Sequence, residues 1–337
     1  MSKYSRRDFL RFLMTLPAAG AVLNLVGCQS PEPSPMITPN TPNTPTPELE
    51  NQQPTEDATP ENQPAPESAY LAVARGGVGP AELTRQAIAA VGGIGLYVKQ
   101  GADVIIKPNI CNAYHGPEYA STTNPDVVAA IVELCLEAGA GSVRVMDYPF
   151  GGSAQNAYET SGIAQAVEAA GGQMELMNSL KYKEIEIPDA QALNRTEVYA
   201  DILNADTVIN VPVAKHHSMA RLTLGLKNLM GVVLDRGALH ARGLPQSIVD
   251  LATVVKPQLT VIDATRILVA NGPTGGDLND VRQMNTIIAS ADVVAADAYA
   301  ATLFDKTGAD IEYITLANQR GLGTMDLSSI NIKEITT

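Results

Sequence analysis

From residue 70 onwards, two kinds of hydrophobic pattern alternate along the chain. Short runs rich in β-branched residues have the length and composition of buried strands. They are YLAVAR, DVIIKP, SVRVMD, TVINVPV, LTVIDA and NTIIAS. Longer amphipathic runs predict helices. They are PAELTRQAIAAVG, NPDVVAAIVELCLEAGA, YETSGIAQAVEAAGG, PQSIVDLATVVK and DVVAADAYAATLFDKTG. This alternation predicts an α/β domain with a Rossmann-like, mainly parallel sheet and helices on both faces.

The second helical run carries clear signals at both ends. Asn124 is suited to cap the helix, Pro125 fits the first turn, and Asp126 lies beside the positive end of the helix dipole. Gly139 can leave the helix in the left-handed conformation. The pattern therefore predicts a helix that begins after Asn124 and ends at Gly139.

Polar side chains follow the predicted strands at their carboxyl ends, where ligands bind to open α/β sheets. Each has a simpler explanation on its own, as a cap, a turn former or a solvated charge. The coincidence of several such strand ends favours a functional site instead. The residues concerned are Lys107 and Asn109, Asp147, Lys215, His216 and His217, Asp263, and Asn271 and Thr274.

The segment that follows TVINVPVA holds two of the 4 histidines of the chain. If the backbone remains extended there, Lys215 and His217 share one face of the strand and His216 lies on the other. The next residues, LTLGLKNLMGVV, fit either a helix or a strand. We favour a helix that begins near Ser218, whose N-terminal amides would suit an anion.

Three interpretations of these residues stay open. The first is a site for an anionic substrate or cofactor, in which lysines act as point charges. Its lysines are Lys107, Lys215 and Lys227. The second is a metal site, because histidine and carboxylate ligands suit zinc, nickel or iron. Its ligands are His216 or His217 with Asp147, Asp263 or His115. The third is structural: the histidines cap strands and the lysines pair with carboxylates.

Composition narrows the classes of function. The chain has 36 acidic and 23 basic residues and a formal net charge of -13, which argues against a nucleic-acid partner. It has no Trp and 4% aromatic residues, so a sugar-stacking cleft is not expected. Because it has no C-x-x-C motif, we expect no iron–sulfur cluster held by cysteines. Cys135 fits a buried helix position and Cys111 fits a loop, and a disulfide between them stays open.

The first 69 residues indicate export and anchoring. Residues 1–27 resemble a twin-arginine lipoprotein signal peptide, with SRRDFLR followed by an apolar run too short to span a membrane. The run ends at LVGC, which resembles a lipobox, so Cys28 is expected to be lipidated. Residues 28–69 are rich in Pro, Thr and Glu and predict a disordered tether before the domain at 70–337. The expected partners are the twin-arginine export machinery and the membrane, on its extracytoplasmic side.

Four segments, in this order, resemble the bacterial and archaeal family called DUF362, a domain of unknown function. They are VIIKPNIC, TTNPDVVAAIVELCLEAGAGSVRVMD, TVINVPVAKHHSMARLTLGLKNLMGVV and DATRILVANGPTGG. The resemblance covers about residues 70–325, and the K-P-N, K-H-H and K-N-x-x-G elements together carry it. Many members add a ferredoxin-like segment with cysteine clusters, which this chain lacks, so electron transfer is not implied. A distant similarity to nickel-dependent lactate racemases implies the same α/β architecture.

The first functional hypothesis is an enzyme that acts on a small anionic substrate, with or without a metal ion or metal-containing cofactor. Its catalytic residues are His217, Lys215 and Lys107. Its anion-binding residues are Asn109, Lys227, Asn228, Asn271 and Thr274. Its metal ligands are His216, His217, Asp147 and Asp263. The alternative is an extracytoplasmic lipoprotein that captures an anion or a metal ion without turnover.

Overall fold

The computed structural model describes residues 69–337, and a ten-stranded sheet lies at their centre. The strands are β1 (Leu71–Arg75), β2 (Asp103–Pro108), β3 (Ser142–Val145), β4 (Gln173–Met174), β5 (Tyr182–Glu186), β6 (Arg195–Tyr199), β7 (Thr207–Val211), β8 (Val213–His217), β9 (Arg221–Thr223), β10 (Leu259–Leu268), β11 (Val281–Ser290) and β12 (Ile332–Thr336). The α-helices are α1 (Pro80–Ala90), α2 (Pro125–Glu137), α3 (Ala154–Thr160), α4 (Ile163–Ala169), α5 (Ala200–Asn204), α6 (Gly225–Asn228), α7 (Arg236–Ala241), α8 (Leu244–Val254), α9 (Val293–Thr302) and α10 (Glu312–Gln319). The predicted signal peptide, Cys28 and the predicted tether up to residue 68 lie outside the described residues.

Five parallel strands form one half of the central sheet, in the order β10, β7, β2, β3, β4. In the other half, β11 lies antiparallel between β10 and β1, and β12 pairs with β1 in parallel. Strands β5 and β6 form a separate two-stranded sheet. Most pairings in the central sheet are parallel, which confirms the predicted α/β class with a mainly parallel sheet.

The sheet buries a hydrophobic core on each of its faces, because side chains alternate along every strand. In β2, Ile105 belongs to one core, and Val104 and Ile106 belong to the other. Helices α1 to α4 cover the face of Val104 and Ile106, whereas α8, α9, α10 and the β5–β6 sheet cover the opposite face. The prediction of helices on both faces is therefore confirmed.

Helix α2 has the predicted start. The side chain of Asn124 accepts a hydrogen bond from the N–H of Asp126 at 3.0 Å, and Pro125 is the first helical residue. The chain then leaves the helix through Gly139, which has a φ of 86°. The next predicted helix, in contrast, is divided into α3 and α4 at Gly162, which has a φ of 73°.

The helix predicted to begin near Ser218 is wrong. Strands β8 and β9 form an antiparallel hairpin there, and α6 begins only at Gly225. The Nδ1 atom of His217 accepts hydrogen bonds from the N–H groups of residues 219–220 at 3.1 and 3.2 Å, which fixes the turn. Arg221 has a φ of 63°, a conformation that a right-handed helix does not contain.

The connections that follow β2 and β7 leave the sheet on opposite faces. Strand β2 leads to α2, and β7 leads through β8, β9 and α6 to α8. Because β2 and β7 are neighbours, a crevice is expected between their carboxyl ends. Residues 69–337 contain no helix with the length and apolar character needed to cross a membrane.

Candidate anion-binding site

A cavity of about 510 Å³ opens at the carboxyl ends of β2, β3 and β8. It lies beside the expected crevice, because β8 follows β7 after one residue and takes part in the wall. The wall combines residues that follow β2 and β3 with the segment from β8 to α7. The ionisable side chains that line it are Cys111, Asp147, Tyr148, Lys215, His217, Lys227, Asp235, Arg236 and His240.

A buried ion pair lies beneath this cavity. The Nζ atom of Lys107 lies 2.6 Å from Oδ1 of Asp147, and both side chains are almost fully buried. The other carboxylate oxygen of Asp147 accepts a hydrogen bond from the N–H of Ile110 at 2.6 Å. Burial lowers the pKa of Lys107, and the charge of Asp147 opposes this shift. Lys107, predicted as a catalytic residue, does not line the cavity.

Asn228 joins three segments of the site. Its side-chain oxygen accepts hydrogen bonds from Nζ of Lys107 at 3.2 Å and from Nδ2 of Asn109 at 2.8 Å. Its Nδ2 atom donates to Oδ1 of Asn210, in β7, at 2.8 Å. The side-chain oxygen of Asn109 accepts in turn from Nζ of Lys215 at 2.8 Å. The two asparagines therefore orient the lysines, and both line the cavity.

Gly231 completes the K-N-x-x-G element for a steric reason. A β-carbon at this position would overlap Oδ1 of Asp147 and Nζ of Lys107. The backbone therefore approaches the buried ion pair more closely than any residue with a side chain allows. The three named positions of the element thus have distinct tasks: Lys227 lines the cavity, Asn228 joins the segments, and Gly231 leaves room for the ion pair.

Two lysines line the cavity without a carboxylate partner among the described residues. The Nζ atom of Lys215 donates to Oδ1 of Asn109 at 2.8 Å and to the carbonyl oxygen of Ser121 at 2.5 Å. The Nζ atom of Lys227 has one polar contact, Sδ of Met230 at 3.8 Å. No salt bridge in residues 69–337 includes either lysine, although their exposed fractions are only 0% and 8%.

The protonation of Lys227 follows from its surroundings. Burial lowers the pKa of Lys227 to about 7, and the nearby charge of Lys215 acts in the same direction. Cys111 opposes the shift, and Arg236 adds to it. A large share of the Lys227 amines is therefore uncharged at neutral pH, which an exposed lysine would not be.

Arg236 is a third cation that lines the cavity without a salt bridge in the described part of the chain. It is the first residue of α7, and its guanidinium lies 4.8 Å from the ring centre of Tyr148. It donates hydrogen bonds to the carbonyl oxygens of Tyr148 and Pro149. These contacts hold the guanidinium in place while leaving its charge without a counter-ion.

His217 is neutral in this site. Burial lowers the pKa of His217 to about 3, and the charges of Lys227 and Lys215 contribute to the shift. Because its Nδ1 accepts the hydrogen bonds from the β8–β9 turn, the proton of the neutral ring lies on Nε2. His217, which the sequence predicted as a catalytic residue, can therefore donate a hydrogen bond from Nε2 but is not placed to act as a base.

Sequence reasoning missed Arg236 and His240. They lie four positions apart in α7, a spacing that brings side chains together on one face of a helix. The Nδ1 atom of His240 lies 2.9 Å from the carbonyl oxygen of Arg236 and must donate to it, which leaves Nε2 available to accept a proton. The ring centres of His240 and His217 are 6.5 Å apart. The spacing in DRGALHARG was the signal in the sequence.

The residues predicted as metal ligands are not assembled into one cluster. Asp147 binds Lys107, and Asp263 accepts hydrogen bonds from the N–H groups of Asn124 and Thr265 at 2.7 and 2.9 Å. His216 lies on the other face of β8, where its Nδ1 accepts from the N–H of Gly272 at 3.1 Å. In residues 69–337, no three His, Cys, Asp or Glu side chains lie close enough to hold a metal ion. The predicted donor set therefore does not fit a metal.

The glycine-rich loop contributes less to the site than predicted. Asn271 is exposed and donates from Nδ2 to Asp280 at 2.7 Å, and neither Asn271 nor Thr274 lines the cavity. Pro273 does line it, and its carbonyl oxygen lies 3.4 Å from Sγ of Cys111. Cys111 and Cys135 are separate buried thiols, so the disulfide that the sequence left open is not formed.

The chain is thus an α/β protein with a cation-lined cavity at the carboxyl ends of its parallel strands. Residues 104–302 match the family described as Domain of unknown function (DUF362), and the chain belongs to this family. It is 30% identical over 248 residues to the thylakoid-associated protein sll1697 of Synechocystis sp., which covers 71% of this chain and 74% of that protein.

Two solved structures share parts of the fold. The lactate racemase apoprotein from Thermoanaerobacterium thermosaccharolyticum aligns over 66% of this chain and 54% of its own, with a TM-score of 0.41 and 11% sequence identity. A protein from Thermotoga maritima aligns over 67% of this chain and 59% of its own, with a TM-score of 0.40 and 12% identity. This chain therefore spans between half and three fifths of the length of these two proteins.

Proposed function

We propose that this chain is an enzyme that acts on a small anionic substrate bound in the cavity at the carboxyl ends of β2, β3 and β8. One observation carries the proposal: Lys215, Lys227 and Arg236 line the same cavity, and none of them forms a salt bridge within residues 69–337. Lys215 is fully buried, and a buried charge without a counter-charge is costly, so a bound anion would stabilise it and would favour the protonated form of Lys227. The excess of positive charge is confined to this cavity, because the whole chain has a net charge of -13.

The side chains suggest a division of tasks. Lys215 is fixed by Asn109 and by the carbonyl oxygen of Ser121, and it supplies a positioned point charge. Arg236 offers a planar fork that matches a carboxylate or a phosphate. His217 offers an N–H donor from its Nε2 atom. The cavity volume of about 510 Å³ lies in the range that holds small molecules.

Lys227 favours an enzyme over a protein that only captures its ligand. Its pKa of about 7 allows the amine to accept or release a proton near neutral pH. Such perturbed groups concentrate in catalytic sites. A protein that only captures an anion would bind it most tightly with a lysine that stays charged. The proposal therefore transfers the catalytic role from Lys107 to Lys227 and assigns Lys215 and His217 to substrate binding.

The binding part of the proposal is tested by calorimetric titration of the full chain with small carboxylates and phosphate esters. We expect binding that weakens with added salt, and at least a tenfold loss of affinity in Lys215→Met and Arg236→Met. Lys256→Met is the matched control, because this exposed lysine lies outside the cavity. Equal affinity in all four proteins, or no anion binding at all, would contradict the proposal.

Turnover separates the two functional hypotheses. Each anion that binds is incubated with the protein, and its NMR spectrum is followed over time. Chemical change that depends on Lys227 would support the enzyme. Tight binding of an anion without change would favour the solute-capturing lipoprotein instead.

We also propose that the chain is exported and held at the extracytoplasmic face of a membrane through lipidated Cys28. The support is the order of the N-terminal signals: paired arginines, a short apolar run, LVGC and a Pro-rich segment. The name of the Synechocystis relative describes that protein as thylakoid-associated, which agrees with a membrane location.

A further inference from the structure

We propose that Lys227 forms an imine with the carbonyl carbon of its substrate, so that the substrate is a small carboxylate that also carries a ketone or an aldehyde. This inference rests on the proposed function and narrows its substrate class to oxo acids. It is carried by the contrast between Lys227 and the two other lysines of the site, and by the groups that surround the Lys227 amine.

Three buried lysines lie near this end of the sheet, and their amines differ in what they contact. The amine of Lys107 is held by Asp147 and by the carbonyl oxygen of Pro108. The amine of Lys215 donates to two oxygen atoms. Within residues 69–337, the one polar contact of the Lys227 amine is the thioether of Met230, at 3.8 Å, and Lys227 lines the cavity. Of the three, it alone is not bound to an oxygen atom.

An amine must have its lone pair to attack a carbonyl carbon, and the surroundings of Lys227 provide this condition. Burial lowers the pKa of Lys227 to about 7. Desolvation and neighbouring cations activate nucleophilic lysines in general. Of the two carboxylates that line the same cavity, Asp147 binds Lys107 and Asp235 accepts a hydrogen bond from the N–H of Ala238. The other ionisable groups that line it are Cys111, Tyr148, Lys215, His217, Arg236 and His240.

The remaining groups suit the other parts of an oxo acid. Lys215 and Arg236 can bind the carboxylate of the substrate, which places its carbonyl carbon near Lys227. The Nε2–H of His217 can donate to the carbonyl oxygen and polarise the bond. His240 has an Nε2 atom that can carry protons between the reacting atoms and the cavity. The site therefore offers an anchor, a nucleophile, an electrophilic donor and a proton carrier.

The reaction balances without a further reactant. The amine nitrogen attacks the carbonyl carbon, and the C=O electron pair moves to the oxygen to give a carbinolamine. The nitrogen then loses both of its hydrogens in net terms, the C–O bond breaks, and the oxygen leaves as water. The product is a C=N double bond between Lys227 and the substrate. Protonation of this imine would draw electrons from the adjacent carbon atoms and make their bonds easier to break.

Reductive trapping tests the inference on the full chain. The protein is incubated with pyruvate and then with sodium borohydride, which reduces an imine to a stable secondary amine. We expect one pyruvate-derived adduct, located by peptide mass spectrometry on Lys227. The yield should rise with pH with a midpoint near 7, because the neutral amine reacts. Propionate, which has the same three carbons and the carboxylate but no ketone, should give no adduct.

Variants separate this chemistry from a structural role of the lysine. Lys227→Arg keeps a cation but cannot form the imine, so we expect no adduct. Lys215→Met should lower the yield at least tenfold at subsaturating pyruvate, and Lys256→Met should match the wild type. The inference is wrong if the wild type gives no adduct, or if the adducts are spread equally over exposed lysines.

The outcome also distinguishes this inference from the proposed function. If propionate and other carboxylates bind in the cavity but pyruvate is never trapped on Lys227, the imine is wrong and the anion site stands. If phosphate esters bind but no carboxylate binds or is trapped, the imine is wrong and the anion site stands; if no anion of either kind binds and none is trapped, both proposals are wrong.

Discussion

Lys107, Lys215 and Lys227 are the same kind of residue at the same end of the sheet, and their neighbours give them different properties. The hydrophobic pattern places Lys107 and Lys215 at strand ends, and it places Lys227 in the segment for which we favour a helix. It does not predict which of them is neutralised. The carboxylate that holds Lys107 is 40 residues away in the chain, and the absence of such a partner near Lys227 depends on the complete packing of the described residues.

Replacement of Lys227 should stabilise the protein while removing its activity. The folded-state pKa of about 7 lies below the ordinary 10.5, so the unfolded chain binds more protons between these values. Burial of this lysine is thus most costly below pH 7, on the order of 5 kcal/mol, and the cost vanishes as the pH rises towards 10.5. We expect Lys227→Met to have a higher free energy of unfolding than the wild type at pH 6.

Urea unfolding between pH 6 and 10 measures this effect. The increase in the free energy of unfolding caused by Lys227→Met should become smaller as the pH rises. Lys256→Met should differ little from the wild type at every pH. A Lys227→Met protein that is less stable than the wild type throughout would show that the lysine is already neutralised by a partner.

At the scale of elements, the segment from β8 to α6 shows why a correct hydrophobic pattern can still give the wrong structure. The apolar positions of both patterns are buried, so burial does not distinguish them: the helical pattern is Leu222, Leu226, Leu229 and Val233, and the strand pattern is Leu222, Leu224 and Leu226. The turn at residues 218–220 determines that the segment forms a hairpin, and Nδ1 of His217 holds this turn by accepting hydrogen bonds from its N–H groups. Side-chain-to-backbone bonds of this kind compete with helix formation, and the hydrophobic period does not record them.

The K-N-x-x-G element can be tested at its glycine. A methyl group on Gly231 would displace the ion pair of Lys107 and Asp147, and disruption of a buried ion pair costs about 3–5 kcal/mol. We expect Gly231→Ala to lower the free energy of unfolding by about 3 kcal/mol or more, measured by urea titration. Anion affinity should fall as well, because Asn228 loses its contact with Lys107.

Gly77→Ala is the matched control for this substitution. A β-carbon on Gly77 would meet no atom within 4 Å, so its effect should stay within about 0.5 kcal/mol. If Gly231→Ala behaves like Gly77→Ala, the close approach of the backbone to the ion pair is not required.

At the scale of the whole molecule, the strand order decides which residues meet. The alternation of strands and helices predicts the α/β class, and the rule that ligands bind at carboxyl ends predicts the general position of the site. The order β10, β7, β2, β3 is not readable from one sequence, and it brings the residues that follow β2 and β3 to the segment that begins at β8. Local side-chain direction then decides which residues line the cavity, because Pro273 and His217 do so and their neighbours Thr274 and His216 do not.

The predicted lipid anchor at Cys28 concerns the location of the whole molecule and can be tested by cell fractionation. The full chain, produced in a bacterium with twin-arginine export, should fractionate with the membrane, and Cys28→Ser should move it to the soluble extracytoplasmic fraction, because the acyl chains are its anchor. Ser30→Ala keeps the cysteine and should remain with the membrane. Retention of Cys28→Ser in the membrane fraction would point to another means of attachment.

The hydrogen bonds of Asn228 have a consequence for the order of folding. They join this residue to partners as far as 121 positions away in the chain, so the anion site has a high contact order. Partly folded chains and proteolytic fragments that lack the β2–β7 pairing cannot present it. An anion that binds the cavity therefore recognises only the finished protein, and by mass action it protects that state against unfolding.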